Sequence, residues 1–131
     1  MRQAAVMLVA VGLALAVAAA GLARNVHFPS HTSMEANSSG ISGKITSPNP
    51  RCRTHRTLRL TLRALEAEEA HFDFHDRVVH SGRRSKWHLS TPMPSGRFTL
   101  EVSMEAKSLA NGQGANVCLG YFHERLFNLS D

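Results

Sequence analysis

The fold is decided by the stretch RCRTHRTLRLTLRA, which covers residues 51–64. Its odd positions are polar, whereas its even positions are apolar apart from Thr54 and Arg56. Successive side chains of a strand point to opposite faces, so a period of two predicts one buried face and one exposed face. The buried face is predicted to consist of Cys52, Leu58, Leu60 and Leu62, and the exposed face to carry Arg51, Arg53, Arg59 and Arg63.

Patterns that indicate further strands follow along the chain. Apolar and polar residues alternate over residues 71–76, 86–90 and 97–105, and residues 115–122 are apolar on both faces. Turns rich in Gly and Pro separate these segments. We therefore predict a mainly β domain over residues 51–131, namely a small antiparallel β-sandwich or barrel of about five to six strands.

One part of this region also fits a helix. Leu58, Leu62 and Leu65 have the spacing of one helix face, and LEAEEA at residues 65–70 consists mostly of helix formers. A helix over about residues 60–70 is therefore the alternative. The strict alternation of the leucines before it favours a strand, followed by at most one helical turn.

Residues 1–23 have the pattern of a signal peptide. Arg2 precedes an apolar run from Ala4 to Ala23 that contains no charged residue, and the small residues at Ala20 and Ala23 suit cleavage. A run of about 20 residues can also span a bilayer, so an uncleaved anchor is the alternative. Much of the run is alanine, which is only weakly hydrophobic. We therefore expect cleavage, and a secreted protein without stable membrane association.

Residues 24–50 have the composition of a flexible spacer. They are rich in Ser, Asn, Gly, Pro and His and end in Ser47-Pro48-Asn49-Pro50. Such a segment has little apolar surface to bury, and we expect it to be disordered. Ile41 and Ile45 could add a short edge strand, but the composition favours a linker. Gly43-Lys44 lacks the preceding glycine loop of a phosphate-binding motif.

The cysteines and the acceptor motifs fit an oxidising compartment. The chain has 2 cysteines, Cys52 on the leucine face and Cys118 in the apolar segment 115–122. We predict that they form a disulfide that joins the first strand of the domain to a late one. The sequences Asn37-Ser38-Ser39 and Asn128-Leu129-Ser130 match the N-glycosylation acceptor, of which Asn37 is the better candidate because it lies in the predicted spacer.

The charge balance favours an acidic partner. The chain has 15 Lys and Arg against 10 Asp and Glu, and removal of Arg2 with the leader leaves 14 − 10 = +4. We predict that Arg53, Arg59 and Arg63 on the exposed strand face contact an acidic protein or a polysaccharide. This face lacks aromatic side chains on which bases could stack, so nucleic acid is not favoured. No motif for a cofactor is present.

A metal site is one alternative. His71, Asp73 and His75 alternate with phenylalanines and would lie on one face of a strand. Neighbouring members would be about 6.5–7 Å apart and could share a metal ion. A zinc site would need further ligands from an adjacent strand, for which His80, His88 and His123 are candidates.

An enzymatic alternative comes from a short resemblance. Asp76-Arg77-Val78-Val79-His80, with a histidine in the following strand, resembles the segment of small microbial ribonucleases that carries their phosphate-binding arginine. The resemblance implies that Arg77 would hold the scissile phosphate and that His88 would be the general acid. The chain departs from the family pattern, because no glutamate lies in a strand well upstream of Arg77 to act as the base.

These observations together favour binding over catalysis. Leader, spacer and compact two-cysteine β domain resemble the layout of small secreted effectors of plant-pathogenic fungi, including those with a β-sandwich. The resemblance implies a secreted, basic, effector-like binding module that engages an acidic protein or glycan. A secreted ribonuclease-like hydrolase and a metal-binding protein are the alternatives.

Overall fold

A computed structural model describes residues 26–111 and 114–130, and this part of the chain is mainly β. It has two short 3-10 helices, at Pro50–Cys52 and Ala67–Phe72. The predicted leader, residues 1–23, lies outside the described residues; within them, no helix is both long and apolar enough to cross a membrane. The strands in chain order are β1 His27–Phe28, β2 His31–Thr32, β3 Glu35–Asn37, β4 Gly40–Thr46, β5 Thr57–Ala64, β6 Phe74–His80, β7 Lys86–Ser90, β8 Arg97–Met104, β9 Lys107–Asn111, β10 Gly114–Cys118 and β11 Tyr121–Asn128.

Sheet I is built around β5, which confirms the strand expected from the alternating leucines. It is antiparallel, with the strand order β11-β8-β5-β6. Leu58, Leu60 and Leu62 point into the core and are at most 1% exposed. The helix considered over residues 60–70 is not present, because the chain stays extended through β5 and is helical only at Ala67–Phe72.

The residues just before β5 do not belong to the strand. Pro50–Cys52 form a 3-10 helix whose cap is Asn49, and the Asn49 side chain accepts a hydrogen bond from the Arg51 N–H. The proline favours this turn because its ring fixes φ near the helical value. The strand begins only at Thr57. Arg51 and Arg53 therefore do not share a strand face with the later arginines, contrary to the prediction.

Sheet II covers the leucine face of sheet I. Its central strand is β4; β2 and β3 pair with one edge of β4 and β7 pairs with the other, all antiparallel. The inner faces of the two sheets form one hydrophobic core, to which sheet II contributes Ile41, Ile45 and Trp87. The predicted antiparallel sandwich is confirmed, although its strands are more numerous and shorter than the expected five to six.

The expectation of a flexible spacer over residues 24–50 is wrong for the part that the structure describes. This part contains β1 to β4, and Ile41 and Ile45 are buried in the core. The alternation is hidden in the sequence because Gly43 occupies the inward position between the two isoleucines. A Cβ at Gly43 would lie 2.5 Å from the Trp87 ring, so glycine is required for the indole to pack against β4.

Two further segments differ from their predicted form. Residues 71–76 do not form a continuous strand: the helix formers before them continue as the 3-10 helix to Phe72, and β6 begins at Phe74. Residues 115–122 do not form one core strand either. The chain leaves the strand at Leu119 and Gly120, so β10 and β11 lie in different sheets. The apolar residues of β10 therefore belong to the sheet formed with β1 and β9, and those of β11 belong to sheet I.

A third sheet holds the disulfide. β10 pairs in parallel with β1 and antiparallel with β9. The predicted disulfide between Cys52 and Cys118 is confirmed, and both cysteines are fully buried in a small cluster with Leu109 and Phe28. The bond connects the turn before β5 to the end of β10. It therefore attaches the third sheet to the sandwich.

The disulfide is expected to contribute strongly to stability. It spans 66 residues, and closing a loop of this length stabilises by about 4 kcal/mol in the chain-entropy model. We predict that Cys118→Ser lowers the free energy of unfolding by roughly 2–5 kcal/mol. Denaturant unfolding of the purified protein measures this value. An unchanged midpoint would show that the bond does not constrain the unfolded chain.

Arg56 is the polar exception on the leucine face, and it is buried. The residue as a whole is 1% exposed. Nη1 donates to the Ser30 hydroxyl and the Cys52 carbonyl, both at 2.9 Å. Nη2 donates to the carbonyls of Glu105 at 2.7 Å and Leu119 at 2.9 Å. Burial lowers the pKa of Arg56, and no carboxylate makes an ion pair with it among the described residues.

Loss of this guanidinium is expected to destabilise the fold. We predict that Arg56→Met lowers the free energy of unfolding by roughly 3 kcal/mol or more, because buried carbonyl acceptors are left without donors. Arg63→Met is the matched control. Arg63 is exposed on β5, so this change should stay within about 0.5 kcal/mol. Equal losses in thermal or denaturant unfolding of the two variants would contradict the assignment.

Candidate functional site

The outer face of sheet II carries a hollow lined by strands β3, β4 and β7. Its volume is about 600 Å³. Strands β3, β4 and β7 form its floor, and the turn between β6 and β7 forms one wall. The side chains that matter for its chemistry are Glu35, Ser42, Lys44, His80, Lys86 and His88. We call this hollow the lysine groove.

Strand register brings the two lysines together. In β4, Ile41 and Ile45 point into the core, so Ser42 and Lys44 point outward. Lys44 is the register partner of Lys86 on β7. The Ile45 N–H donates to the Ser85 carbonyl at 2.8 Å, so Ile45 and Ser85 are a hydrogen-bonded pair. Because the two kinds of pair alternate along an antiparallel ladder, the neighbouring pair of Lys44 and Lys86 is a non-hydrogen-bonded one. Such pairs have Cα atoms about 4.5 Å apart and side chains in close proximity.

The same register places an acid and a histidine in one row. Glu35 on β3 is opposite Ser42 on β4, and Ser42 is opposite His88 on β7. His88 Nε2 lies 2.7 Å from the Ser90 hydroxyl. Glu35 is the only acidic side chain that lines the lysine groove within the described residues. The groove is therefore basic, with hydroxyl groups between the cations.

The turn between β6 and β7 adds two more cations beside the groove. Arg83 and Arg84 lie at its tip and are exposed. The turn is fixed by hydrogen bonds from Gly82 N–H to the Lys86 carbonyl at 2.9 Å and from Ser85 N–H to the Gly82 carbonyl at 3.1 Å. Ser85 has a φ of 66°, a conformation that is uncommon for serine. The backbone thus holds the arginines next to Lys86.

Among the described residues, neither lysine of the groove forms an ion pair. Like charges directly opposite each other on a sheet destabilise the pair. Two lysines placed opposite each other by strand register therefore concentrate positive charge at this point of the sheet, which an anion would relieve. The chemistry of the groove suits carboxylate, sulfate or phosphate groups on a partner.

The predicted arginine face is divided and partly neutralised. Arg59 Nε lies 3.1 Å from Glu105 Oε1 in an ion pair between exposed side chains. Arg63 lies on the same outer face, about 13 Å further along β5. Arg53 lies before the strand, where its Nε donates to the Ser47 carbonyl at 2.9 Å. The structure does not bring the three arginines into one site.

The predicted metal ligands are not brought together either. His71 lies in the last turn of the second 3-10 helix, and its ring is tilted against that of Phe72, with the ring centroids 4.1 Å apart. Asp73 Oδ1 accepts a hydrogen bond from Ala64 N–H at 2.7 Å, and His75 lies on β6 beside Thr61. Within residues 26–111 and 114–130, no group of three or more His, Cys, Asp or Glu side chains has the geometry to hold a metal ion.

The two residues of the ribonuclease resemblance line different hollows. Arg77 is stacked over the Phe74 ring at 5.4 Å and lines a hollow of about 250 Å³ near Thr91 and Pro92. His88 lines the lysine groove. None of the hollows described is lined by both residues. Arg77 and His88 therefore do not share any of these hollows.

The predicted glycosylation site lies in an ordered hairpin. Asn37 ends β3, is exposed, and its Oδ1 accepts a hydrogen bond from Ser39 N–H at 2.8 Å in the tight turn to β4. Asn128 makes the corresponding contact with Ser130 N–H at 3.0 Å. Both acceptor motifs are accessible, and neither lies in a flexible segment of the kind that was expected for Asn37.

A second group of cations lies near the disulfide and has a structural role. Lys107 Nζ donates to the carbonyls of Thr54 at 3.0 Å and Arg51 at 3.4 Å. Burial lowers the pKa of Lys107, and the charges of Arg56 and Arg51 lower it further. Lys107 thus satisfies backbone carbonyls of the turn before β5, and its ammonium group is committed to these internal contacts.

Glu35, Lys44 and Lys86 are the site residues that sequence reasoning missed. The Ser-, Asn- and Gly-rich composition around Lys44 predicts a spacer, which hides the strand that positions this lysine. The signal that would have found it is the alternation of Ile41 and Ile45 with Ser42 and Lys44. The pairing of Lys44 with Lys86 depends on register between distant strands and has no local signature.

Comparison with known proteins found no similarity on which function could be assigned: no family model, no curated protein and no solved structure matches this chain.

Proposed function

We propose that the protein is a secreted, non-enzymatic binding module that engages an acidic protein or glycan through the lysine groove. The observation that carries this proposal is the register pairing of Lys44 with Lys86, which form no ion pair among the described residues. Arg83 and Arg84 beside the groove increase the positive charge. Complementary charge at such a surface raises the association rate and selects anionic partners.

The lysine groove is a better candidate than the outer face of sheet I. On that face Arg59 is already paired with Glu105, and Glu101 and Glu124 also lie there. The positive charges of the arginines and the negative charges of the glutamates on this face of sheet I therefore largely cancel. The groove combines concavity and hydroxyl groups with two lysines, Lys44 and Lys86, and a single acidic residue, Glu35, among its described lining.

A matched pair of charge-reversal variants tests the location of the site. Lys44→Glu with Lys86→Glu changes the charge by four units on sheet II, and Arg59→Glu with Arg63→Glu makes the same change on sheet I. We predict that the lysine variant weakens binding to heparin and to a polyglutamate peptide roughly tenfold or more at low salt. Titration calorimetry or surface plasmon resonance measures both affinities.

The arginine variant serves as the control and should bind within about twofold of the unchanged protein, since Arg59 is neutralised by Glu105. Both variants should remain folded, because each changes only exposed side chains. A loss confined to the arginine variant would move the site to sheet I. RNA cleavage that disappears with His88→Ala would instead support the ribonuclease alternative.

Secretion is the second part of the proposal. It is supported by the leader pattern of residues 1–23 and by the disulfide, which is compatible with an oxidising compartment. We predict that protein recovered from the medium begins between Gly21 and Arg24. Intact-mass measurement decides this. A membrane-bound product that still carries Met1 would contradict the proposal.

A further inference from the structure

Strand β11 is an open edge of sheet I. It pairs with β8 in unbroken antiparallel register over its eight residues, Tyr121–Asn128. On its other side no described strand pairs with it. The opposite edge strand of the sheet, β6, is interrupted by a register shift and by Asp76 at a φ of 52°. Such irregularities protect an edge against pairing with another chain. Strand β11 has no comparable interruption.

The backbone of β11 presents its free groups at alternate residues. The hydrogen bond from Leu129 N–H to the Gly96 carbonyl fixes the phase of the β11–β8 ladder. Odd-numbered residues of β11 therefore bond to β8, and the N–H and carbonyl groups of Phe122, Glu124 and Leu126 point to the open edge. A strand added there in antiparallel orientation would pair with these three residues.

The side chains of the same three residues form a strip on the outer face. Phe122 is 62% exposed and Leu126 is 58% exposed, which is unusual for two large apolar residues on one strand face. Between them, Glu124 is the register partner of Glu101 on β8. This is a non-hydrogen-bonded pair, so the two carboxylates are close together, and neither forms an ion pair among the described residues.

We infer that the β11 edge binds an extended segment of a partner protein by strand addition, and that this segment carries a Lys or Arg between two apolar residues at alternate positions. Its backbone would complete the hydrogen bonds of Phe122, Glu124 and Leu126. Its apolar side chains would cover Phe122 and Leu126, and its cation would lie against Glu124 and Glu101. This surface is separate from the lysine groove, which lies on the other sheet.

A second copy of this chain fits the edge less well. A two-fold pairing of β11 that sets Phe122 opposite Leu126 of the other copy is centred on Glu124. It would place the two Glu124 carboxylates directly opposite each other, with Glu101 of each copy beside them. Like charges at this position oppose self-pairing. The charge of the strip therefore selects a cationic segment of another protein.

Two capped peptides test the inference. One is Thr-Val-Thr-Lys-Thr-Val-Thr, and the other has glutamate in place of the lysine. We expect NMR titration of the labelled protein to show at least tenfold tighter binding of the lysine peptide. Hydrogen exchange of the Phe122, Glu124 and Leu126 amides should slow roughly tenfold, whereas the His123 and Arg125 amides, already bonded to β8, should not change.

Charge reversal provides the decisive variant. Glu124→Lys should abolish the preference for the lysine peptide and favour the glutamate peptide, while Lys44→Glu with Lys86→Glu should leave peptide binding unchanged. Equal binding of the two peptides, or no protection of the three amides by either, would overturn the inference. So would sedimentation of the free protein as a dimer with these amides already protected, because the occupant would then be a second copy.

Discussion

The buried guanidinium of Arg56 is the interaction on which the arrangement of the three sheets depends. It is removed from water without a carboxylate partner among the described residues, so its charge is balanced by oxygen dipoles alone. Those oxygens belong to Ser30, Cys52, Glu105 and Leu119, which come from four separate parts of the chain. Each part must be in place before the charge is solvated. The native positions of the four segments are therefore coupled to one another.

Strand β5 of sheet I could be predicted because its signal is local. In β5, the alternation of Leu58, Leu60 and Leu62 requires a strand wherever one face is buried. Cys52 and Cys118 could be paired because there are only two cysteines. Arg56 was visible as an exception on the apolar side, but most of its partners were not, since Ser30, Glu105 and Leu119 lie in segments that only tertiary folding brings together.

The parts that sequence reasoning missed depend on contacts between distant residues. A glycine at position 43 suggests a linker, yet it is an inward core position because Trp87 fills the space above it. The lysine groove was missed for the same reason: Lys44 has a partner only through the register of β4 with β7. Similarly, the apolar run 115–122 gives no indication that its two halves join different sheets.

Charge in this protein is grouped locally rather than spread evenly. Sheet II carries the groove with Lys44 and Lys86, whereas the outer edge of sheet I carries the adjacent carboxylates of Glu101 and Glu124. The formal net charge of +5 conceals this separation. In our proposals, an anionic partner and a cationic strand approach from different sides. The lysine groove and the β11 edge can then be occupied at the same time. In such a ternary complex the protein would bridge an anionic molecule and a cationic one.

The position of the disulfide has a consequence for the order of folding. Cys52 and Cys118 are 66 residues apart, and strands β5 to β10 all lie between them. Bringing such distant thiols together by chance is slow and entropically unfavourable. We expect sheets I and II to pack against each other first and the two thiols to oxidise afterwards. The disulfide would then form late, in a chain that is already folded. Rapid alkylation during oxidative refolding would reveal this order, because both thiols should stay reactive until the core has formed.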